Sequence, residues 1–146
     1  MDMDFEYKES LFLEIDERRC KKIKSLKKDV FAHFKHIRGK IWEQRNVPQY
    51  FVPEKKTCFL SKTVGDLHIR ICKFRQVTTN PRSSKSDGLR IISIIAFTTN
   101  GNPKSYTPLF VYSAKEEKTK ITCCGSQYPV SKTGIQRMIK HRLDDH

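Results

Sequence analysis

Residues 89–112 read LRIISIIAFT, TNGNP and KSYTPLFVY, and this stretch decides the fold. The first segment, Leu89 to Thr98, is rich in Ile, and the last segment ends in the apolar run Leu109 to Tyr112. The segment between them contains Asn-Gly and Pro, which accept the backbone conformations of a tight turn. The stretch therefore predicts two antiparallel strands at the centre of a sheet.

A further strand is predicted from Leu67 to Lys73, where Ile residues alternate with polar ones. The two Ile side chains share one face of this strand, so His68 and Arg70 point to the other face. The segment from Pro48 to Val64 is predicted to be irregular, because its prolines end the helical pattern that precedes it.

A long connection joins this strand to the Ile-rich one. It runs from Gln76 to Asp87 and consists of Thr, Asn, Pro and Ser residues together with Arg82 and Lys85. This composition predicts a mobile, basic loop, which would suit contact with a phosphate backbone.

Upstream of the sheet, the spacing of the apolar residues changes. Apolar residues alternate over residues 11–15, which predicts a first strand after a flexible tail of residues 1–9. From residue 17 to residue 41 they recur at intervals of three or four, which predicts an amphipathic helical region. This region is either one helix or an antiparallel pair that turns near residues 27–29, with Asp29 as N-cap of the second helix.

The C-terminal part carries a second helical pattern. Ser131 is a candidate cap, and Ile135, Met138, Ile139 and Leu143 follow it at helical spacing. The sequence therefore predicts one α+β domain over residues 1–146, in which an antiparallel sheet packs on the helices.

The charge of the chain points to a polyanionic partner. Twenty-nine Lys and Arg residues stand against sixteen Asp and Glu residues, which leaves a net charge of +13. Nucleic acid is the leading class of partner, although an acidic protein is compatible with the same charge. The lysines of the helical region, from Lys21 to Lys40, either bind phosphate or form a solvated face, and we favour the solvated face.

The cysteines and the apolar runs set the expected location. The five cysteines are odd in number and lack C-x-x-C spacing, so they support neither a zinc site nor a disulfide framework. No stretch approaches the roughly 20 apolar residues of a membrane span, and the acidic start of the chain is unlike an export signal. We expect a cytoplasmic protein with no metal, no small-molecule cofactor and no membrane partner.

Four segments occur in a characteristic order: LFLEIDERRCKKIKSL at 11–26, GDLHIRI at 65–71, GLRIISII at 88–95 and LFVYSAKEEK at 109–118. In this order they resemble the RelE/HigB-like toxins of type II toxin-antitoxin systems, which belong to the RelE/ParE superfamily. The resemblance implies a RelE-like fold with an N-terminal strand, a helical hairpin, an antiparallel sheet and a short C-terminal helix. It also implies a metal-independent endoribonuclease that cuts messenger RNA on the ribosome, inhibits translation and is held inactive by a cognate antitoxin.

Basic residues suit this cleavage, because attack by the ribose 2′-hydroxyl accumulates negative charge on the phosphoryl oxygens. Arg90 is the first catalytic candidate, since its guanidinium group can hold two phosphate oxygens; the alternative for Arg90 is an ion pair with a nearby carboxylate. The resemblance adds His68 and Arg70, for proton transfer and phosphate contact, and Lys115 and Lys118 in the charged run. Further RNA contacts are predicted at Lys73, Arg75, Arg82, Lys85 and Tyr112.

Two positions depart from the family pattern and weaken the case for cleavage. Glu116 stands where family members carry Arg, and Thr122 stands where they carry Tyr. The alternative is a non-catalytic protein, either a ParE-like topoisomerase poison or a basic RNA-binding module. A DNA-binding protein ranks lowest, because no helix-turn-helix pattern is visible. Convergence of the catalytic candidates in one patch would favour cleavage, whereas dispersion would favour binding alone.

Overall fold

The computed structural model describes residues 4–44, 58–118, 120–123, 126–129 and 131–144, and these form an α+β fold. The helices are α1 (Leu11–Arg19), α2 (Leu26–Glu43) and α3 (Lys132–Asp144), and a short 3-10 helix spans Ala114–Lys118. The strands are β1 (Glu6–Tyr7), β2 (Cys58–Val64), β3 (Leu67–Gln76), β4 (Leu89–Thr98), β5 (Pro103–Ser113), β6 (Lys120–Cys123) and β7 (Ser126–Pro129).

The main sheet has five strands in the order β1-β5-β4-β3-β2, and β6 pairs with β7 in a separate hairpin. The predicted strands at β3, β4 and β5 are confirmed, and they pair antiparallel in sequence order. The prediction of an irregular segment up to Val64 is wrong over its last residues. Gly65 adopts a φ of +59° and closes a tight hairpin, so the residues before it pair with β3 as the edge strand β2.

Helices cover both faces of the main sheet. On one face, Phe34 and Ile37 of α2 pack against Ile95 of β4. On the other face, Met138 of α3 packs against Ile92 of β4. Because successive side chains of a strand alternate between faces, a strand buried on both sides is apolar at consecutive positions, as β4 is. The predicted C-terminal helix is confirmed.

The prediction of a strand at residues 11–15 is wrong, because this segment begins helix α1. The alternation of apolar residues there does not reflect burial, since Leu11 is 82% exposed while Leu13 is buried. The two buried residues of α1 are Leu13 and Asp16, which are three positions apart and therefore share a helix face.

The predicted flexible tail also contains structure. Phe5 is buried against Phe34, and β1 pairs parallel with β5 through Glu6 and Tyr7. The N-terminal strand of the fold therefore lies five residues earlier than the predicted one, and it is only two residues long.

The helical region consists of two helices, but the predicted turn and cap are displaced. The chain turns at residues 20–25, and Ser25 is the residue that precedes α2. Asp29 lies in the first turn of α2, where its carboxylate accepts hydrogen bonds from the backbone N–H (3.2 Å) and the hydroxyl (2.8 Å) of Thr79. Asp29 therefore fastens the loop between β3 and β4 to α2.

An ion network lies against β5, along the part of that strand that does not pair with β1. Arg142 donates two hydrogen bonds to Asp16, of 2.8 Å and 2.9 Å, and neither residue is exposed to solvent. Arg19 donates to Asp16 at 2.6 Å and to Glu116 at 2.8 Å. Asp16 also accepts from the backbone N–H of Val111 at 2.8 Å. We call Asp16, Arg19, Glu116 and Arg142 the edge network.

Candidate nucleic-acid interface

A group of charged side chains lies at the end of the sheet where β3 ends and β4 begins. Arg75 of β3, Arg90 of β4 and Tyr112 of β5 are direct cross-strand neighbours and therefore share one face. Lys73 lies two residues earlier on β3, on the same face, and Glu117 reaches the group from the 3-10 helix. We call Lys73, Arg75, Arg90, Tyr112 and Glu117 the sheet-end cluster.

Arg90 is the fixed centre of this cluster. Its Nε donates to Glu117 at 2.6 Å, and its two terminal nitrogens donate to the carbonyl oxygens of Lys85 (3.0 Å) and Ser86 (2.8 Å). The side chain is only 3% exposed. The sequence allowed Arg90 either a phosphate contact or an ion pair with a carboxylate, and in the structure Arg90 forms the ion pair. The predicted grip of Arg90 on two phosphate oxygens is not available in this arrangement, because its guanidinium group holds the loop and the 3-10 helix in place.

Lys73 is the partly exposed cation of the cluster. Its Nζ lies 3.9 Å from the Glu117 carboxylate and 5.8 Å from the centre of the Tyr112 ring. Partial burial lowers the pKa of Lys73, and the neighbouring charges of Arg90 and Arg75 lower it further, against the opposite effect of Glu117. Burial is the largest cause of the lowered pKa, and a bound anion would stabilise the charged amine that burial disfavours.

Tyr112 does not have the predicted contact with an RNA base. Its side chain is fully buried and belongs to the apolar cluster that α3 covers. Burial, together with the nearby Glu117 carboxylate, raises the pKa of its hydroxyl. A base can stack only on an exposed ring face. The buried Tyr112 ring lies beneath Lys73 and is not accessible for base stacking.

The predicted loop cations are exposed, and the charge of Lys85 acts on His33 and His36 of α2, where burial is the largest cause of the lowered pKa of both imidazoles and Lys85 lowers it further. Arg82 and Lys85 are exposed on the connection between β3 and β4, and Lys115 is exposed on the 3-10 helix. Besides the bonds to Asp29, the loop donates a hydrogen bond from the backbone N–H of Asn80 to Ser25 Oγ at 2.9 Å. The predicted basic loop is thus present, and it is attached at α2 and at Arg90.

His68 and Arg70 do not join the cluster. Arg70 pairs with Ile95, an odd number of positions from Arg90, so the two arginines lie on opposite faces of the sheet. Ile95 is also about 17 Å from Arg90 along β4. The guanidinium group of Arg70 lies 5.6 Å from the Phe97 ring centre, on the face that α2 covers. The predicted catalytic set is therefore divided.

His68 lies near the turn of the exposed β2–β3 hairpin. Its ring nitrogens are 2.8 Å from Ser61 Oγ and 3.3 Å from Thr63 Oγ1. These contacts join neighbouring strands, and they orient the imidazole along the hairpin surface. The side chains of Lys118 and Thr122 lie outside the described part of the structure.

Glu116 has a structural role of its own in the edge network. Its carboxylate accepts from Arg19 at 2.8 Å, from the Ser113 backbone N–H at 2.9 Å and from the Cys20 thiol at 3.0 Å. Burial alone would raise the pKa of Glu116, but these hydrogen bonds outweigh burial and lower it. A carboxylate is thus required at this position to balance Arg19.

Two carboxylates organise this region: Asp29, which the sequence predicted only as a helix cap, and Glu117, for which no role was predicted. A signal for Asp29 was present, because it is the only acidic residue between Glu17 and Glu43, in a stretch rich in Lys and Arg. Such an isolated carboxylate is a candidate for a buried hydrogen-bonding role. Glu117 has no comparable signal in the sequence, since it lies in a mixed charged run.

Among the described residues, no cluster of three or more His, Cys, Asp or Glu side chains could hold a metal ion. Nor does any helix in the described ranges combine the length and apolar character needed to cross a bilayer. Comparison of the chain with models of known protein families, with curated proteins and with solved structures returned no match in any of the three.

Proposed function

We propose that this chain is a non-catalytic RNA-binding protein that holds a single-stranded RNA backbone at the sheet-end cluster and the adjoining loop. The observation that carries the proposal is the charge balance of the cluster. Within the described residues, three cations on neighbouring strands, Lys73, Arg75 and Arg90, face the single carboxylate of Glu117. An RNA phosphate supplies the missing negative charge.

The wider surface has the same imbalance. Between residues 67 and 115, Asp87 is the only acidic residue in the sequence. Arg75 at the end of β3 and Arg82 on the loop are both exposed and add positive charge to this end of the sheet. Mobile cationic side chains of this kind contact phosphates without base specificity, so affinity for RNA should fall steeply with salt.

An acidic protein is the competing partner, and the composition of the surface favours RNA over it. Protein interfaces are generally built around apolar and aromatic side chains that become buried on binding. Here the exposed residues of the cluster and the loop cations are Lys and Arg, and the aromatic member of the cluster, Tyr112, is already buried.

The separation of the candidate residues supports binding over cleavage. Cleavage needs a proton-transfer group within reach of the cations that stabilise the phosphoryl oxygens. His68 and Arg70 lie on the opposite face of the sheet from Arg90, and Arg90 is engaged by Glu117 and the loop. Of the predicted catalytic residues, no imidazole therefore lies beside a phosphate at the cluster.

Fluorescence anisotropy with a labelled single-stranded RNA tests the proposal. The variant Lys73→Ala/Arg75→Ala should bind about tenfold more weakly, and its salt dependence should be shallower by about 1.4 units of log affinity per log salt. Lys62→Ala/Lys104→Ala is a matched control, because it removes the same charge from exposed positions outside the cluster. Equal losses in both variants would reduce the effect to net charge and would contradict the proposal.

A second candidate function is the ribosome-dependent endoribonuclease, which one observation favours. The pKa of the Lys73 amine is lowered in the direction of neutral pH, and Arg75 lies on the same face of β3. Such a pair suits proton transfer next to a phosphate. Primer extension on cellular messenger RNA after brief induction distinguishes the two functions. Codon-phased cuts that disappear in Lys73→Ala would establish cleavage, whereas uncut messages would leave binding alone.

A further inference from the structure

The turn between α1 and α2 presents a second basic surface. Five exposed cations lie within this turn and the adjoining ends of the two helices. We call them the basic turn: Arg18, Lys21, Lys22, Lys24 and Lys28. The sequence alone favoured a solvated face for these lysines, but their placement in the structure gives a reason to assign them a partner.

The described carboxylates near the basic turn have other partners. Asp29 is 1% exposed, and its carboxylate oxygens are engaged by Thr79. Glu9, Glu14 and Glu17 lie 3.8–4.0 Å from the Nζ of Lys27, which is next to Lys28 at the start of α2. Across the described parts of the chain, none of the five cations forms an ion pair with a carboxylate.

The basic turn is joined to the sheet-end cluster by the loop between β3 and β4. At one end of the loop, Ser25 donates its backbone N–H to the Asn80 carbonyl at 3.3 Å and accepts from the Asn80 N–H at 2.9 Å. At the other end, Arg90 binds the carbonyl oxygens of Lys85 and Ser86. Arg82 is exposed between these two anchors. One anchored loop thus connects two groups of cations.

We infer that the basic turn is the second half of an extended RNA-binding surface, so that the preferred ligand is a single strand long enough to contact both groups of cations. This inference rests on the proposed function and adds the length of the ligand to it. A short RNA occupies the sheet-end cluster alone. A longer strand continues along Arg82 to the basic turn and releases additional counterions there.

Anisotropy with two single-stranded RNAs, of about 6 and about 20 nucleotides, tests the inference. The variant Lys21→Gln/Lys22→Gln/Lys24→Gln/Lys28→Gln should lose about tenfold in affinity for the long RNA and about two to three units of its salt slope, at about 0.7 per phosphate contact. Its affinity for the short RNA should change less than twofold. The control Lys8→Gln/Lys62→Gln/Lys104→Gln/Lys140→Gln removes the same charge from exposed positions outside the basic turn.

Three outcomes would overturn the inference. If the variant lost affinity equally for both RNAs, or if the variant and the control lost affinity for the long RNA equally, net charge alone would explain the effect. Retained binding of the long RNA together with lost binding of a polyglutamate peptide would assign the basic turn to an acidic protein. Failure of the proposed function itself is distinguishable, because binding of the short RNA would then be insensitive to Lys73→Ala/Arg75→Ala.

Discussion

The edge network and the sheet-end cluster are built from the same chemistry but have opposite charge balance. In the edge network, Arg19 and Arg142 face Asp16 and Glu116, so two positive groups meet two negative groups. In the sheet-end cluster, three cations meet Glu117 alone among the described residues. The balanced group joins α1, β5 and α3, with Asp16 and Arg142 buried and Arg19 and Glu116 partly buried, whereas the unbalanced group reaches solvent through Lys73 and Arg75. Charge balance therefore separates an architectural ion network from a candidate ligand site.

The strongest test of this comparison is removal of the central charge of the edge network. Asp16→Asn leaves Arg142 buried between the Phe12 and Phe110 rings, each 4.9 Å from its guanidinium carbon, without its carboxylate. Such a loss costs about 3–5 kcal/mol of unfolding free energy. Urea denaturation measures it, with the exposed Glu14→Gln on the same helix as control. RNA affinity of the folded fraction should be unchanged; a loss of RNA affinity would show that the two regions do not act separately.

The second test asks whether Arg90 stabilises the sheet-end cluster or contacts the RNA directly. Arg90→Ala removes an ion pair and two hydrogen bonds to carbonyl oxygens, so unfolding free energy should fall by about 2–3 kcal/mol. Because Arg90 is 3% exposed, its direct contribution to RNA binding should be smaller than that of the exposed Arg75. Denaturation and anisotropy on Arg90→Ala and Arg75→Ala give the comparison. If Arg90→Ala lost more RNA affinity than Arg75→Ala at a temperature where both are fully folded, Arg90 would be assigned a direct contact with the RNA.

Acid should weaken the edge network through Glu116. The pKa of Glu116 is lower in the folded protein than the unfolded value of about 4.3, so its stabilisation is complete above that pH and is lost as the pH falls through the folded pKa. Glu116→Gln should cost about 2 kcal/mol of unfolding free energy at pH 7. The difference in unfolding free energy between wild type and Glu116→Gln should become smaller as the pH falls below about 4. A difference independent of pH would assign the effect to packing instead of charge.

The smallest expected effect belongs to Glu117. Glu117→Gln removes the negative charge of the sheet-end cluster while preserving an acceptor for Arg90, so Lys73 becomes fully available to a phosphate. Affinity for single-stranded RNA should rise about twofold to fivefold. Anisotropy at low salt measures this, with Glu14→Gln again as the charge-matched control. Weaker binding in Glu117→Gln would show that the carboxylate positions the cluster instead of competing with the ligand.

Part of the candidate site could be predicted from the sequence. Arg82 and Lys85 in a polar loop, and Lys73 at the end of a strand, follow from composition and from a period of two, because these features depend on neighbouring residues. The grouping of His68 and Arg70 with Arg90 could not be predicted reliably. Face and register place the two sets on opposite sides of the sheet, and those depend on pairing between strands that are distant in sequence.

The sequence by itself determined the α+β class, the three central strands, the C-terminal helix and the large positive charge. Each of these follows from local periodicity or from a sum over residues. Only the tertiary structure decided that residues 11–15 are helical, that Arg90 is an internal anchor and that the basic turn is joined to the sheet end. These depend on which carboxylate each cation meets, and Asp16, Asp29 and Glu117 meet partners 27 to 126 positions away in the chain. Burial and ion pairing are properties of the packed chain, and no window of neighbouring residues contains them.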